Sequence, residues 1–199
     1  MEIRSFIDER AMPTVIENTR TIEGYAIVFE RESRLMFDWC RDKFFIEVIK
    51  RGSVLPSDFE EWDIKALAEH DKSRLLARSF NGKGTLDLSI DDYGVKYRFE
   101  APKTVEGDNA LEMIKRGDIF GSSFAYTADE DENVRYYKRE DGVMVREVKR
   151  LKRMFDVSIV TDPAYFGTDV TVRSYDGLIE PPKTELWKKQ VEETRSLIK

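Results

Sequence analysis

Residues 84–99, with the sequence GTLDLSIDDYGVKYRF, contain two short segments in which apolar and polar side chains alternate. The apolar positions on the two arms are Leu86, Leu88 and Ile90, then Val95, Tyr97 and Phe99. A period of two residues is typical of β-strands with one buried face, and the intervening Asp-Asp-Tyr-Gly favours a turn. The stretch therefore predicts an antiparallel β-hairpin.

Three other stretches extend this prediction to a mainly antiparallel β protein. Asp141-Gly142 lies between VRYYKRE and VMVREVKRL, and Asp-Gly suits a type I′ hairpin turn. Residues 155–160 are apolar and rich in β-branched side chains, which predicts a strand ended by Asp162-Pro163. The segment GYAIVFE, residues 24–30, is a further strand candidate.

Helices are fewer in this prediction. Residues 107–116 begin near a capping Asp108 and stop before Gly117, and residues 57–69 carry a weaker helical pattern. The predicted class is α+β, a mainly antiparallel sheet or barrel with a few helices. Residues 1–177 are predicted to form one domain. Residues 178–199 are predicted to form a linker and a C-terminal amphipathic helix.

Composition excludes several functions. The net charge of −6 gives no basic surface for a nucleic acid or an anionic membrane, and no apolar run approaches the roughly 20 residues that span a bilayer. The first residues lack the apolar stretch of a secretory signal. One histidine and one cysteine are too few for a usual Cys/His zinc site, and no phosphate-binding glycine loop is present. We therefore predict neither a metal nor a cofactor.

The single histidine, His70, limits the possible chemistry. A serine hydroxyl is a poor nucleophile and needs an adjacent base to accept its proton, and histidine titrates near neutral pH. Any serine–histidine mechanism in this chain must use His70. In a strand, Asp156 and Ser158 share one face, and Ser123 shares a small, polar face with Ala125.

Three ordered segments carry a family resemblance: Glu69-His70-Asp71, Gly121-Ser122-Ser123-Phe124-Ala125-Tyr126, and Asp156-Val157-Ser158-Ile159-Val160 with Pro163-Ala164. Together they resemble the prohead, or capsid maturation, serine proteases of tailed phages, which are related in fold to the herpesvirus maturation proteases. The resemblance covers roughly residues 20–172 and implies a mainly antiparallel β-barrel-like core with a few surrounding helices. Each motif alone is weak, and the ordered set is more specific.

The resemblance implies Ser123 as nucleophile, His70 as base and Asp156 as the third catalytic residue of an endopeptidase. It implies capsid and scaffold proteins as substrates, self-association, and a location inside the immature prohead in the host cytoplasm. Three positions depart from the family pattern. Ala125 stands where glycine is usual, Tyr126 where phenylalanine is usual, and Asp156 where glutamate is frequent.

Alternatives remain open at the level of sequence. Ser122 competes with Ser123 for the role of nucleophile, and Glu69 or Asp71 could orient His70 in place of Asp156. Ser158 could hydrogen-bond within the site. A non-catalytic capsid-assembly module that retains the fold is a second functional class. A cysteine hydrolase that uses Cys40 with His70 is a third.

Overall fold

The computed structural model describes residues 1–6, 10–33, 35–38 and 43–161. These residues form strands with three short helical segments. In chain order the elements are β1 (Glu2–Phe6), β2 (Thr14–Val15), β3 (Thr21–Val28), β4 (Met36–Asp38), β5 (Lys43–Ile49), α1 (Asp58–Glu61), β6 (Asp63–Ala68), β7 (Asp71–Phe80), β8 (Lys83–Gly84), β9 (Leu86–Ile90), β10 (Gly94–Glu100), α2 (Val105–Arg116), β11 (Gly121–Thr127), α3 (Glu130–Asn133), β12 (Val134–Lys138), β13 (Met144–Val148) and β14 (Arg153–Val160).

The described strands form three sheets. The largest has the order β1-β11-β14-β6-β7-β8, and two four-stranded sheets have the orders β2-β3-β10-β9 and β12-β13-β5-β4. Most neighbouring strands are antiparallel, and the exceptions are the parallel pairs β14–β6 and β13–β5. The mainly antiparallel, helix-poor class is thus confirmed. Among the described strands β1 and β8 end the largest sheet without pairing to each other, so the three sheets are open where a barrel-like core was predicted.

The hairpin of residues 84–99 is confirmed as β9 and β10. Its turn is held by the Asp91 carboxylate, which accepts hydrogen bonds from the backbone N–H groups of Tyr93 and Gly94 at 2.7 and 2.9 Å. The apolar arm of β10 is buried at Val95, Tyr97 and Phe99. The strands predicted near residues 24–30 and 155–160 are confirmed as β3 and β14.

The second hairpin, β12–β13, is also confirmed, but its turn differs from the predicted one. The backbone N–H of Gly142 donates to the Arg139 carbonyl, and only Gly142 of the Asp141-Gly142 pair has a positive φ, at 87°. A type I′ turn needs positive φ at both central residues. The loop is therefore a three-residue connection in which Gly142 takes the left-handed position after Glu140 and Asp141.

The helix predictions were partly wrong. Helix α2 begins at Val105, and its N-cap is Thr104, whose Oγ1 accepts from the Gly107 N–H at 3.3 Å. Asp108 lies inside the first turn and pairs with an arginine instead of capping. The predicted end at Gly117 is confirmed, with φ of 79°.

The weaker helical pattern over residues 57–69 contains only the single turn α1, and the longest element within it is strand β6. The strand forms because Ile64, Ala66 and Ala68 are buried on one face while β14 and β7 flank it. Residues 162–199, which include the predicted linker and C-terminal helix, lie outside the described residues, as does Cys40. Within the described part of the chain no helix is long and apolar enough to cross a membrane.

Candidate active site

His70 occupies the tip of the β6–β7 hairpin. Glu69 and His70 both have positive φ, at 57° and 56°, as the two central residues of a type I′ turn require. Left-handed backbone at residues other than glycine is strained and is found preferentially at functional sites. The turn is fastened to the end of β14, because the Glu69 N–H donates to the Ile159 carbonyl at 3.0 Å and the Glu69 carboxylate accepts from the Thr161 N–H at 2.7 Å.

Ser123 and Asp156 lie on the neighbouring strands β11 and β14. The register places Ser123 opposite Ser158, and Asp156 lies two residues from Ser158 along the same strand. Cross-strand partners share a face of the sheet, and so do residues two apart in one strand. The three side chains therefore project to the same side. Strand β6, which leads to the His70 turn, pairs with β14 on its other edge.

The imidazole of His70 joins the other groups in one line. Its Nδ1 lies 2.6 Å from Asp156 Oδ1, and its Nε2 lies 2.6 Å from Ser123 Oγ. If Nδ1–H donates to the carboxylate, Nε2 is left as the acceptor for the serine hydroxyl. The His70 and Asp156 side chains are 16% and 9% exposed, so the line is largely shielded from water.

Ser158 adds a fourth group to this line. Its hydroxyl donates to Asp156 Oδ1 at 2.9 Å and lies 3.2 Å from His70 Nδ1. A hydroxyl that donates to the carboxylate satisfies a lone pair that burial would otherwise leave without a partner. Ser158 is therefore placed to orient the carboxylate.

The other candidates from the sequence lie elsewhere. The Ser122 hydroxyl is buried, 2.8 Å from Tyr97 Oη, and donates to the Ala11 carbonyl at 3.0 Å. Strand alternation points it away from the face of Ser123. The exposed Asp71 carboxylate accepts from the N–H and hydroxyl of Ser73, and the Glu69 carboxylate accepts from the Thr161 N–H, as noted above.

One feature of the site had no counterpart in the sequence analysis. Strand β1 pairs with β11 beside the candidate nucleophile, and Ser123 is only 1% exposed. The Ser123 hydroxyl also lies 2.9 Å from the Arg4 carbonyl oxygen and can donate to it. The segment is too short and too polar for its periodicity to have predicted a strand.

A serine, an imidazole and a carboxylate joined in this order form the constellation that defines the serine hydrolases. The comparison with protein families identifies the group more closely. A model of the family described as caudovirus prohead serine protease matches residues 7–178, and the chain belongs to this family. Its general class is that of a capsid maturation protease. No curated protein and no solved structure matches the chain.

Proposed function

We propose that the protein is a serine endopeptidase that cleaves capsid or scaffold proteins during prohead maturation, with Ser123 as nucleophile, His70 as base and Asp156 as the orienting acid. The observation that carries the proposal is the 2.6 Å separation between His70 Nε2 and Ser123 Oγ. That separation is within the range in which a base can remove a proton from the nucleophile. Family membership supports capsid or scaffold proteins as substrates and a setting inside the immature prohead in the host cytoplasm. We also expect the protein to self-associate.

The chemistry follows from the order of the groups. His70 Nε2 takes the hydroxyl proton as Ser123 Oγ bonds to the carbonyl carbon of the scissile peptide. The imidazolium then gives that proton to the leaving amine as the C–N bond breaks, which leaves an acyl-enzyme. A water molecule attacks the ester with His70 again as base, and the free Ser123 hydroxyl is regenerated. Asp156 stabilises the imidazolium in both halves.

The shorter acid at position 156 is compatible with this role. Aspartate reaches one methylene less far than the glutamate that is frequent in the family. Nevertheless, Asp156 Oδ1 lies 2.6 Å from His70 Nδ1, and the same oxygen accepts from the Ser158 hydroxyl. The shorter side chain therefore reaches the imidazole at hydrogen-bond distance in this structure.

The second candidate function is the non-catalytic capsid-assembly module. One observation favours it: Ser123 is only 1% exposed and its hydroxyl contacts the main chain of β1, so a substrate has no access to it in this arrangement. The hydrogen bonds that join Ser123, His70 and Asp156 argue the other way, since a module without turnover has no need for a partly buried imidazole between a hydroxyl and a carboxylate. A covered nucleophile is also what an enzyme awaiting activation requires.

The proposal is tested by producing the protein together with the capsid precursor in the same cells. Mass spectrometry of the products then shows whether and where the precursor is cleaved. We expect Ser123→Ala and His70→Ala each to reduce the cleavage rate by about 10³-fold or more, because the catalytic residues act as a unit. Thermal unfolding of both variants checks that the fold survives. Cleavage within tenfold of the unaltered protein by either variant would contradict the assignment.

A further inference from the structure

Strand β1 lies at the outer edge of the largest sheet. It pairs antiparallel with β11 over five residues, from Glu2 opposite Tyr126 to Phe6 opposite Ser122. Among the described strands, β1 has no partner on its other side. Adding an extended segment to the edge of a sheet is a common way in which proteins bind peptides, with the main chain supplying affinity and alternate side chains supplying specificity. Without β1, the edge of β11 beside Ser123 is such a binding site.

The main chain of β1 contacts the candidate nucleophile directly. The Arg4 carbonyl oxygen lies 2.9 Å from Ser123 Oγ, and His70 Nε2 lies 2.6 Å from the same atom. A hydroxyl has one hydrogen, so the carbonyl and the imidazole compete for it. When the hydroxyl donates to the carbonyl oxygen, its proton is diverted from the base, and the contact blocks the nucleophile. A peptide substrate has to place a carbonyl in the same space, which β1 now fills.

The side chain of Arg4 projects to the opposite face of β11 and enters a buried charged pocket. Its Nε donates to Glu47 Oε1 at 2.8 Å, and its Nη2 donates to Glu47 Oε2 at 3.0 Å. Both residues are 2% exposed. Two parallel hydrogen bonds between a guanidinium and a carboxylate depend on the planar fork of arginine, which the ammonium of lysine lacks.

Glu47 loses two hydrogen bonds when β1 is absent. The described charged members of the pocket outside β1 are Glu47, Glu130 and Arg146, and Arg146 hydrogen-bonds both carboxylates. Strand β1 adds Glu2 and Arg4, whose charges cancel, so it changes the partners of Glu47 and not the net charge of the pocket. Burial opposes the ionisation of Glu47, but the charges of Arg4 and Arg146 outweigh burial and lower its pKa. A buried carboxylate without its full set of partners is costly, so the pocket favours an incoming guanidinium.

We infer that the edge of β11 is the substrate-binding site, that β1 occupies it as a substrate mimic, and that Glu47 selects arginine at the substrate residue whose carbonyl reaches Ser123. This inference rests on the proposed function. The ligand it names is an extended peptide that pairs antiparallel with β11. Its arginine lies directly before the cleaved bond.

A disulfide that can be formed and reduced tests whether β1 blocks the edge of β11 beside Ser123. Ile3 and Ala125 are cross-strand partners, so Ile3→Cys with Ala125→Cys places two thiols for a disulfide that ties β1 to β11. Cys40→Ser removes the competing thiol. A fluorophosphonate then labels Ser123, and mass spectrometry follows the adduct. We expect labelling at least about tenfold slower in the oxidised protein than in the same protein after reduction, since labelling needs a locally opened form. Equal rates would overturn the inference.

Selection of arginine by Glu47 is tested first by changing the peptide, which allows the protein itself to stay unaltered. The substrate is the peptide MEIRSFIDER, which copies residues 1–10. Its cleavage by the protein is compared with that of three peptides that carry lysine, alanine or glutamate at the fourth position. We expect kcat/KM for cleavage after that position to be about 10- to 100-fold higher with arginine than with alanine, and lysine to be intermediate. Glu47→Gln is expected to reduce this ratio, and Tm measurements check that the variant folds.

The outcomes separate the inference from the proposed function. Labelling of Ser123 together with equal cleavage of the arginine and alanine peptides overturns the inference and leaves the peptidase intact. Labelling without cleavage of any peptide also overturns the inference. If the unaltered protein cleaves no peptide and the fluorophosphonate labels neither it nor the reduced cysteine variant, the proposed function itself is contradicted.

Discussion

The two faces of strand β11 carry two different polar clusters. On one face, Ser123 meets His70 and Asp156 in a single line of hydrogen bonds that remains partly open to water. On the other face, Tyr126 lies within a largely buried group in which Arg146 is 0% exposed. The second group is the buried charge cluster, whose members are Glu2, Arg4, Glu47, Tyr126, Glu130, Tyr136 and Arg146.

Strand β11 thus carries the groups proposed for catalysis on one face and a cluster that stabilises the fold on the other. The hydrogen-bonded group of Ser123, His70 and Asp156 contains one possible cation, His70. The Ser123 hydroxyl lies where it can pass its proton to His70 Nε2. The buried charge cluster contains two arginines, which stay charged, and their many hydrogen bonds fix β1 against the rest of the protein. We therefore expect substitutions on the first face to affect activity and substitutions on the second to affect folding stability. The four variants below test that division, from the largest expected effect to the smallest.

The largest effect is expected for Asp156→Asn. The amide keeps the size of the side chain but cannot stabilise an imidazolium, and it favours the wrong tautomer of His70. We expect kcat/KM to fall by about 10³- to 10⁴-fold with little change in Tm. The matched control is Asp71→Asn, because Asp71 follows His70 but bonds only to Ser73 in the described structure. Equal losses in both variants would contradict the role of Asp156.

On the opposite face, Arg146→Met is expected to cost about 3–5 kcal/mol of folding stability. The substitution leaves the carboxylates of Glu2, Glu47 and Glu130 in the interior without the guanidinium they share. Urea unfolding measures the loss. The control is Arg139→Met, whose ion pairs with Glu32 and Asp141 are exposed and should matter little. A stability unchanged by Arg146→Met would show that the cluster does not hold the fold.

A smaller effect is expected for Ser122→Ala, which sits beside the candidate nucleophile but faces away from it. The substitution removes the hydrogen bond to the buried Tyr97 hydroxyl and should cost about 1–3 kcal/mol of stability. The rate of fluorophosphonate labelling at Ser123 should not change. If Ser122→Ala abolishes labelling and Ser123→Ala does not, the nucleophile is Ser122 and the assignment of Ser123 is wrong.

The smallest effect is expected for Ser158→Ala. Its hydroxyl orients the Asp156 carboxylate through one hydrogen bond, and one such bond contributes about 1 kcal/mol. We expect kcat/KM to fall about fivefold. Ser158→Thr keeps a hydroxyl at this position and should recover part of the loss. A loss as large as that of Asp156→Asn would mean that Ser158 takes a direct part in the reaction.

Local sequence patterns predicted much of the fold. The β9–β10 hairpin follows from alternation over neighbouring residues and from the turn at Asp91. Residues 63–68 fall within the weaker helical pattern predicted over residues 57–69, yet burial between two strands makes them β6. The open sheets could not be predicted, because pairings such as β14 with β6 join residues about ninety positions apart.

The candidate site shows the same limit. Elimination pointed to His70, strand parity placed Asp156 beside Ser158, and family resemblance chose Ser123. Their distances depend on β14 lying between β11 and β6, which no local pattern specifies. The buried charge cluster escaped prediction entirely. Its charges come from β1, β5, α3 and β13, and each one alone looks like an ordinary solvated side chain in the sequence.

The proposed chemistry is tested most directly by the rate at which a fluorophosphonate modifies Ser123, mapped by mass spectrometry in the unaltered protein and in His70→Ala. We expect one adduct, at Ser123, and a rate about 10³-fold or more lower without the imidazole, because the hydroxyl then has no base. An adduct at another serine, or a Ser123 adduct that forms equally fast without His70, would contradict the catalytic pair.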